Sequence, residues 1–428
     1  MAEEPLVHNY NVEAPLERNL PEKVVFWDET LRDGEQTPGV YFTIEEKVEL
    51  ARLISDIGVD VMNVGIPAVS NGEVKAVKKI TEQGLEASVL GAARTIRGDI
   101  DACLKADVDE CAAFIAASPV HLKYKLKMSE EKAIETAVDA VEYAVDHGLK
   151  TTFVTEDTVR SDWGLVERIY NAAIDAGAER ILYCDTVGVM TPTAMHWWLK
   201  EVRKRVPAAK HGVEEGVHIH NDFGMATALN MAALEEGVQC VNTTFGGLGE
   251  RAGNTPFEEV VMALELLYDH RTGIKLDQIH AVSKKVEEYS GVPLAITKPI
   301  TGYNAFTHES GIHTDGVIKN TLTYEPIQVE TLARERRFVF GKHTGTHAVA
   351  ARLEQYGIKD TPKEKLVEVA NHIKDKTEGE TKEKVTEFIH HYRDWDQNHK
   401  GVNDQEFWEI CAKVGIQVPK GEKVKATA

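Results

Sequence analysis

No apolar run in this chain approaches the roughly 20 residues that a membrane-spanning helix needs, so a membrane-embedded protein is not expected. Cysteine is scarce. Cys103, Cys111, Cys184, Cys240 and Cys411 are scattered, odd in number and nowhere in Cys-x-x-Cys spacing, which excludes a disulfide framework and a structural zinc site. They are expected as small buried residues. Positive charge is short too: 49 Lys and Arg stand against 69 Asp and Glu, a formal net charge of -20. That field repels phosphate backbones and anionic membranes, so neither nucleic acid nor a membrane is an expected partner. An anionic substrate must then be captured by local groups: a metal ion, an arginine or backbone donors. The opening Met1-Ala2-Glu3-Glu4-Pro5 lacks the basic flank and apolar segment of a targeting peptide, which predicts a cytoplasmic protein. Internal repeats and low-complexity tracts are absent as well.

What is present is a rhythm. From residue 24, short β-branched runs alternate with longer amphipathic stretches, the pattern of parallel strands connected by helices. The predicted strands are Val24–Arg32, Val59–Gly65, Ala87–Arg94, Glu110–Ser118, Lys150–Asp157, Arg180–Gly188, Val217–Asp222 and Cys240–Gly246. Between them lie predicted helices such as Thr43–Ile57, Ser129–His147, Ser161–Ala176 and Thr191–Val206, most with a Ser, Thr or Asp near the start as a cap. Eight such units predict an α/β fold, a closed (β/α)8 TIM barrel. An open doubly wound sheet is disfavoured, because no Gly-x-Gly-x-x-Gly turn follows the first strand.

The unusual polar residues fall at the C-terminal ends of different strands: Arg32-Asp33, Arg94, Glu156-Asp157, Asp185-Thr186, His218 with His220, and the loop Gly246–Asn254. In a barrel that end is the catalytic face. Side chains alternate along a strand, so His218 and His220 of His218-Ile219-His220-Asn221-Asp222 point the same way. A carboxylate from another strand completes a two-imidazole, one-carboxylate metal site. Without a Lys-Ser/Thr ending, the glycine-rich loop is no P-loop.

Beyond about Lys275 the pattern changes to helices alone, predicted at Leu276–Tyr289, Gly345–Tyr356, Thr361–Lys376, Thr381–Tyr392 and Asp404–Val414. The organisation expected is an N-terminal extension over 1–22, the barrel over 23–275, and over 276–428 a smaller helical region that contributes to the active site and to dimerisation. The segment Lys298–Lys319, rich in His and Glu, is expected to visit an active site. Lys420–Ala428 is expected as a frayed end.

Taken together, these motifs resemble the acetyl-CoA-dependent 2-oxo acid condensing enzymes, which include 2-isopropylmalate, homocitrate and citramalate synthases. The resemblance runs from about Val24 to Gly345. It is carried by Asp28-Glu29-Thr30-Leu31-Arg32-Asp33-Gly34-Glu35-Gln36, Ser118-Pro119-Val120-His121-Leu122-Lys123-Tyr124-Lys125-Leu126, Glu156-Asp157-Thr158-Val159-Arg160-Ser161-Asp162, Asp185-Thr186-Val187-Gly188, His218–Asp222, Gly246–Asn254 and His308–Lys319. It implies an acyltransferase that joins acetyl-CoA to a 2-oxo acid in a Claisen-type condensation and then hydrolyses the thioester. The resemblance implies that Asp33, His218 and His220 hold a divalent ion (Mg, Mn or Zn), with Asn254 as a ligand or close partner. Arg32 matches the catalytic arginine, Glu156 and His313 the proton-transfer groups, and Tyr324 an orienting group. Gln36, Ala92, Arg94, Lys123 and Thr186 match substrate-binding positions. In the family the His313 segment comes from the neighbouring subunit, which implies a homodimer.

Three positions depart from the commonest 2-isopropylmalate synthase pattern: Asn63 and Lys123 stand where glutamate is usual, and Ala92 where leucine is usual. Emptied space and a reversed charge favour an anionic 2-oxo acid such as 2-oxoglutarate, oxaloacetate or phosphonopyruvate, with Lys123 expected on its distal charge. Three alternatives stay open. One is a 2-isopropylmalate synthase using 2-oxoisovalerate, another a carbon-carbon lyase acting on 3-hydroxy-3-methylglutaryl-CoA, and the third a metal-binding relative without catalysis. The lyase is disfavoured because Glu250-Arg251 follows Gly249 where its loop carries Gly-Cys, and the third reading because Arg32, Glu156 and His313 are all present.

Overall fold

The computed structural model describes residues 6–14, 18–380, 382–398, 401–402 and 404–416. Three expectations therefore lie wholly or partly outside the described residues: the Met1–Pro5 start, the helix beginning at Thr381, and the Lys420–Ala428 end.

Eight parallel strands close into a barrel in sequence order: β1 Val25–Asp28, β2 Val61–Asn63, β3 Ser88–Arg94, β4 Glu110–Ala116, β5 Lys150–Glu156, β6 Arg180–Asp185, β7 Glu214–Ile219 and β8 Cys240–Thr243. Closure is a four-residue register, Val25↔Cys240 through Asp28↔Thr243. One helix follows each strand: α1 Ile44–Asp56, α2 Asn71–Thr81, α3 Arg97–Ala106, α4 Glu130–Asp146, α5 Trp163–Asp175, α6 Pro192–Arg205, α7 Ala226–Glu235 and α8 Phe257–Leu267. Three of the caps read from the sequence are used, while α5 starts after Asp162 with no side-chain cap bond. Thr43 and Glu46 form a reciprocal capping box on α1, and Ser129 and Thr191 accept backbone N–H bonds at the starts of α4 and α6.

Most strands end a few residues sooner than the hydrophobic pattern predicts. At β1 the cause is local: the Asp28 carboxylate accepts the Thr30 N–H at 2.9 Å and the Thr30 hydroxyl at 2.8 Å, turning the chain off the sheet into the mouth. Inside the barrel Trp27, Val61, Leu90, Ala112, Leu182 and Cys240 form the packed centre. Below them an ionic floor closes the N-terminal end. Buried Arg180 places Nη1 2.8 Å from Glu110 Oε2, contacts Glu214 through Nε, and lies over the Trp27 ring, while Lys150 meets Glu110 at 3.0 Å.

Past residue 275 the chain is mainly helical, with α9 Ile279–Ser290, α10 Gly311–Lys319, α11 Thr346–Gln355, α12 Lys363–Gly379, α13 Glu383–Asn398 and α14 Asp404–Lys413. It is not helices alone, since β9 Thr307–His308 pairs in parallel with β10 Arg337–Phe338. Buried Ile279, Val282 and Val286 of α9 belong to the same apolar core as the barrel helices, so this first helix packs as part of the barrel's outer layer. Among the described residues no helix is long and apolar enough to cross a membrane.

Burial raises the Asp28 carboxyl from its ordinary 3.8 to about 7, against the opposing pull of its bonds from Thr30. Because the folded-state value lies above the unfolded one, its contribution to stability is complete below about pH 4 and is lost as pH rises through about 7. Asp28→Asn removes this dependence. Its thermal midpoint should gain on the native protein between pH 5 and pH 8, by the equivalent of a few kcal/mol at about 1.4 kcal/mol per pKa unit. An equal difference between the two proteins at both pH values would show that Asp28 is not the group responsible.

Candidate active site

The barrel mouth holds a cavity of about 290 Å³ whose walls include Arg32, Asp33, Gln36, Ala92, Glu156, Thr186, His218 and His220. Asp33 follows the turn after β1, His218 lies in β7, and His220 is one residue past its end. A nitrogen from each imidazole and a carboxylate oxygen of Asp33 lie within 4.8 Å of one another, and all three residues are buried. His218 Nε2 and His220 Nε2 are 3.1 Å apart, and His220 Nε2 is 3.8 Å from Asp33 Oδ2. The other ring nitrogens are engaged: His218 Nδ1 donates to Asn242 Oδ1 at 2.9 Å and His220 Nδ1 to the Gly253 carbonyl at 3.2 Å. Both Nε2 lone pairs are thereby turned on one point beside a carboxylate. Two bare nitrogens facing each other repel unless a cation lies between them, so the donor set fits a divalent ion.

The electrostatics agree. Burial pushes the Asp33 carboxyl up, but Arg32, the two imidazoles and the Asn254 amide outweigh it and hold Asp33 below the ordinary carboxylate value. Burial lowers His220 to about 4, with His218 adding to the effect and Asp33 opposing it. Asp33 and His220 therefore offer the deprotonated groups that a metal requires. Asn254 donates Nδ2 to Asp33 Oδ2 at 2.9 Å while its Oδ1 accepts the Thr255 N–H, so it is placed as a support for the carboxylate rather than in direct line with the imidazoles.

Arg32 contacts the Glu29 carboxylate through Nε, and its Nη1 reaches Asp33 Oδ1 and Gln36 Oε1, each at 3.4 Å. Across the mouth, Glu156 ends β5 with both carboxylate oxygens on Lys125 Nζ, at 2.8 and 2.6 Å, and His121 Nε2 stands 3.8 Å away. The Thr186 hydroxyl accepts the Asp157 N–H at 2.8 Å. Arg251 is a cavity wall but its guanidinium is already tied to Asp222 and the Thr186 carbonyl.

Besides Asn254, which lies behind Asp33, four expected residues do not line this cavity. Lys123 is exposed, its ammonium 4.9 Å above the Tyr124 ring, because residues 121–126 form a π-helical turn. Side chains two residues apart on a helical turn face opposite ways, so Lys125 enters and Lys123 does not. Arg94, at the end of β3, is drawn outward by a bidentate pair with Asp99 in the first turn of α3, at 2.7 and 3.0 Å. His313 is exposed on α10, stacked on the half-exposed ring of Tyr324 with centroids 4.1 Å apart, and neither ring lines the cavity. Sequence reading also missed Glu29, Asn242 and Lys125. The available signal was polarity at inward-facing positions, a glutamate one residue past β1 and an asparagine within the apolar β8.

Residues 23–286 match the family model described as HMGL-like, and residues 300–381 match the one described as homocitrate synthase post-HMGL domain-like. The chain belongs to the HMGL-like family. A homocitrate synthase of Methanopyrus kandleri is 48% identical over 359 residues, covering 84% of this chain and 89% of that protein. A 2-isopropylmalate synthase of Methanocaldococcus jannaschii is 46% identical, covering 83% of this chain and 68% of that protein. An (R)-citramalate synthase of the same organism is 43% identical, covering 82% and 70%. The solved structure of a Bacillus subtilis HMG-CoA lyase shares the fold with a TM-score of 0.58 and 22% identity, covering 64% of this chain and 96% of that chain.

The loop after β8 crosses directly over the triad, and one glycine makes the crossing possible. A Cβ on Gly249 would lie 2.7 Å from Asp33 Oδ2 and 3.0 Å from the Asn254 nitrogen. Gly249→Ala should displace the carboxylate or the loop and weaken manganese binding about tenfold or more, the size of effect seen when a ligand's surroundings are disturbed. Calorimetric titration of the metal-free variant checks this, and unchanged affinity would remove Asp33 from the site.

Proposed function

We propose that this chain is an acyltransferase that condenses acetyl-CoA with a 2-oxo acid and hydrolyses the resulting thioester to a 2-substituted malate. The observation that carries the reading is the buried Asp33, His218 and His220 cluster beside Arg32 at the mouth of the barrel, in a chain 43–48% identical to three synthases of that kind. Magnesium, manganese or zinc held by those three residues would act as a Lewis acid on the ketone of the 2-oxo acid.

The chain's own groups supply the rest. Arg32, fixed by Glu29, presents a cationic fork where negative charge develops on the ketone oxygen. Glu156 is the base for the acetyl methyl, its carboxylate oriented by Lys125. Gln36 and Thr186 orient the substrate, and Asn254 steadies Asp33. His313 and Tyr324 lie outside the cavity of their own chain, which supports their delivery to a second copy's mouth in a homodimer.

An anionic 2-oxo acid remains the preferred substrate, now through Lys125. Its ammonium has three N–H donors, of which Glu156 engages two, leaving one for a distal carboxylate or phosphonate. A second reading, 2-oxoisovalerate, is favoured by the apolar walls at Ile66, Ala112, Phe114, Val154 and Leu182. Steady-state rates decide between them. The expected order places 2-oxoglutarate, oxaloacetate or phosphonopyruvate above 2-oxoisovalerate in kcat/KM, with the preference lost in Lys125→Met. A clear optimum at 2-oxoisovalerate overturns the anionic assignment. Arg32→Ala and His313→Ala should each lower kcat by about 100-fold or more with the fold intact, as removal of one charge-stabilising or proton-transfer group does. Near-native turnover in either variant removes that residue from the mechanism.

A further inference from the structure

Beneath the metal triad lies a buried carboxylate so far described only as the anchor of Arg32. Glu29, 1% exposed, sits one residue past β1. Three donor groups converge on it. Arg32 Nε meets Oε2, Asn63 Nδ2 lies 3.0 and 3.1 Å from the two oxygens, and Asn242 Nδ2 lies 3.1 Å from Oε1. Both asparagines are themselves buried.

An ionised carboxylate accepts hydrogen bonds and donates none. That property fixes the direction of everything bonded to it. Asn242 must turn its NH2 toward Glu29, which leaves its carbonyl oxygen toward His218 Nδ1 at 2.9 Å. His218 Nδ1 must then carry the proton, so Nε2 is bare where it faces His220 and Asp33. We propose that Glu29 is a positioning residue that sets the tautomer of His218 through the Asn242 amide while holding Arg32 on its other oxygen. Deepening the function proposed above, this inference rests on reading Asp33, His218 and His220 as the metal ligands. The relay joins the ion's ligand and the arginine to one carboxylate, so the two electrophilic groups keep a common reference. It also gives Asn63 a part: at a position where the 2-isopropylmalate synthase pattern has an acid, this chain has an amide bonded to an acid from the neighbouring strand.

Glu29→Gln keeps the shape and changes the direction. A glutamine that keeps its oxygen on the Arg32 cation must aim its NH2 at Asn242, whose amide then turns over and donates to His218 Nδ1. The proton on His218 moves to Nε2, where it blocks the metal. Two measurements read this. In metal-free protein labelled with 15N-histidine, His218 should be protonated at Nδ1 in the native chain and shift toward Nε2 in Glu29→Gln. Calorimetric titration with manganese should show an affinity 10- to 100-fold lower, the range typical of lost support behind a ligating histidine. A general packing role for Glu29 would lower the thermal midpoint and leave the tautomer in place.

Asn242→Ala cuts the relay without touching the Glu29–Arg32 pair, and it decides the matter if Glu29→Gln fails to fold. It should lose manganese affinity to a similar degree. The native tautomer and affinity retained in a folded Glu29→Gln, or in Asn242→Ala if that is the variant that folds, overturn the proposal. A native chain that binds no manganese would instead sink the metal reading, while the tautomer measurement, made without metal, still tests the relay.

Discussion

Everything at this site depends on the closure of the barrel. The β1–β8 register, Val25↔Cys240 to Asp28↔Thr243, joins strands more than 200 residues apart in the chain. Only because of it do Asp33 and Glu29, just past β1, meet His220, Asn254 and Asn242 from the end of the barrel sequence. An open sheet would leave β1 and β8 on opposite edges and the three candidate ligands on two separate surfaces. Closure also sets who faces inward. Residues two apart in a strand share a face, so β7 commits His218 and the following His220 to the mouth together. The candidate metal site is thus a consequence of topology before it is a consequence of any local contact.

Charge is buried at both ends of the cylinder, with different outcomes. At the floor, Arg180, Glu110, Lys150 and Glu214 satisfy one another, and Arg180 also covers Trp27. The four charges pair among themselves, which suits a part whose task is to hold strands in register. At the mouth the balance is left open on purpose of geometry: both His Nε2 atoms lack donors, and Lys125 keeps an N–H unengaged by Glu156. Burial of an unpaired polar group costs on the order of 1–3 kcal/mol. The extensive packing below, from Trp27 to the helix cores, offsets that cost, in keeping with the division of barrels into a stabilising bottom and a reactive top.

The eight-unit rhythm was legible because strand and helix periods differ and because Ser129, Thr43 and Thr191 announce helix starts that the fold uses. The shared face of His218 and His220 was legible from strand alternation, while Asp33 was named by the family resemblance of its motif; the structure brings the three within 4.8 Å of one another. Side-chain aim at element ends was not legible. Arg94 shares a strand with cavity-lining Ala92, yet a bidentate acid three residues into the next turn captures it. Lys123 and Lys125 differ in the sequence by two positions and in the structure by opposite faces of a π-helical turn, a distinction that hydrophobic pattern does not encode. Glu29 and Asn242 stayed hidden for a further reason. Each makes sense only through a partner 213 residues away, and no local signal reports such a pair.

The charges at the mouth also bear on how anions enter a protein of net charge -20. Glu29, Asp33, Glu156 and Glu250 line the cavity against Arg32, Lys125 and Arg251, so the walls alone do not attract an anion. A divalent cation at the triad reverses the sign of that balance. On the function proposed above, an ion held by Asp33, His218 and His220 would supply the local positive field that a 2-oxo acid needs. Lys125 and Arg32 refine the position of an anion once inside, because each is already engaged by a carboxylate and contributes direction more than net charge. An acidic surface and an anionic substrate would therefore be compatible if the triad holds a divalent cation.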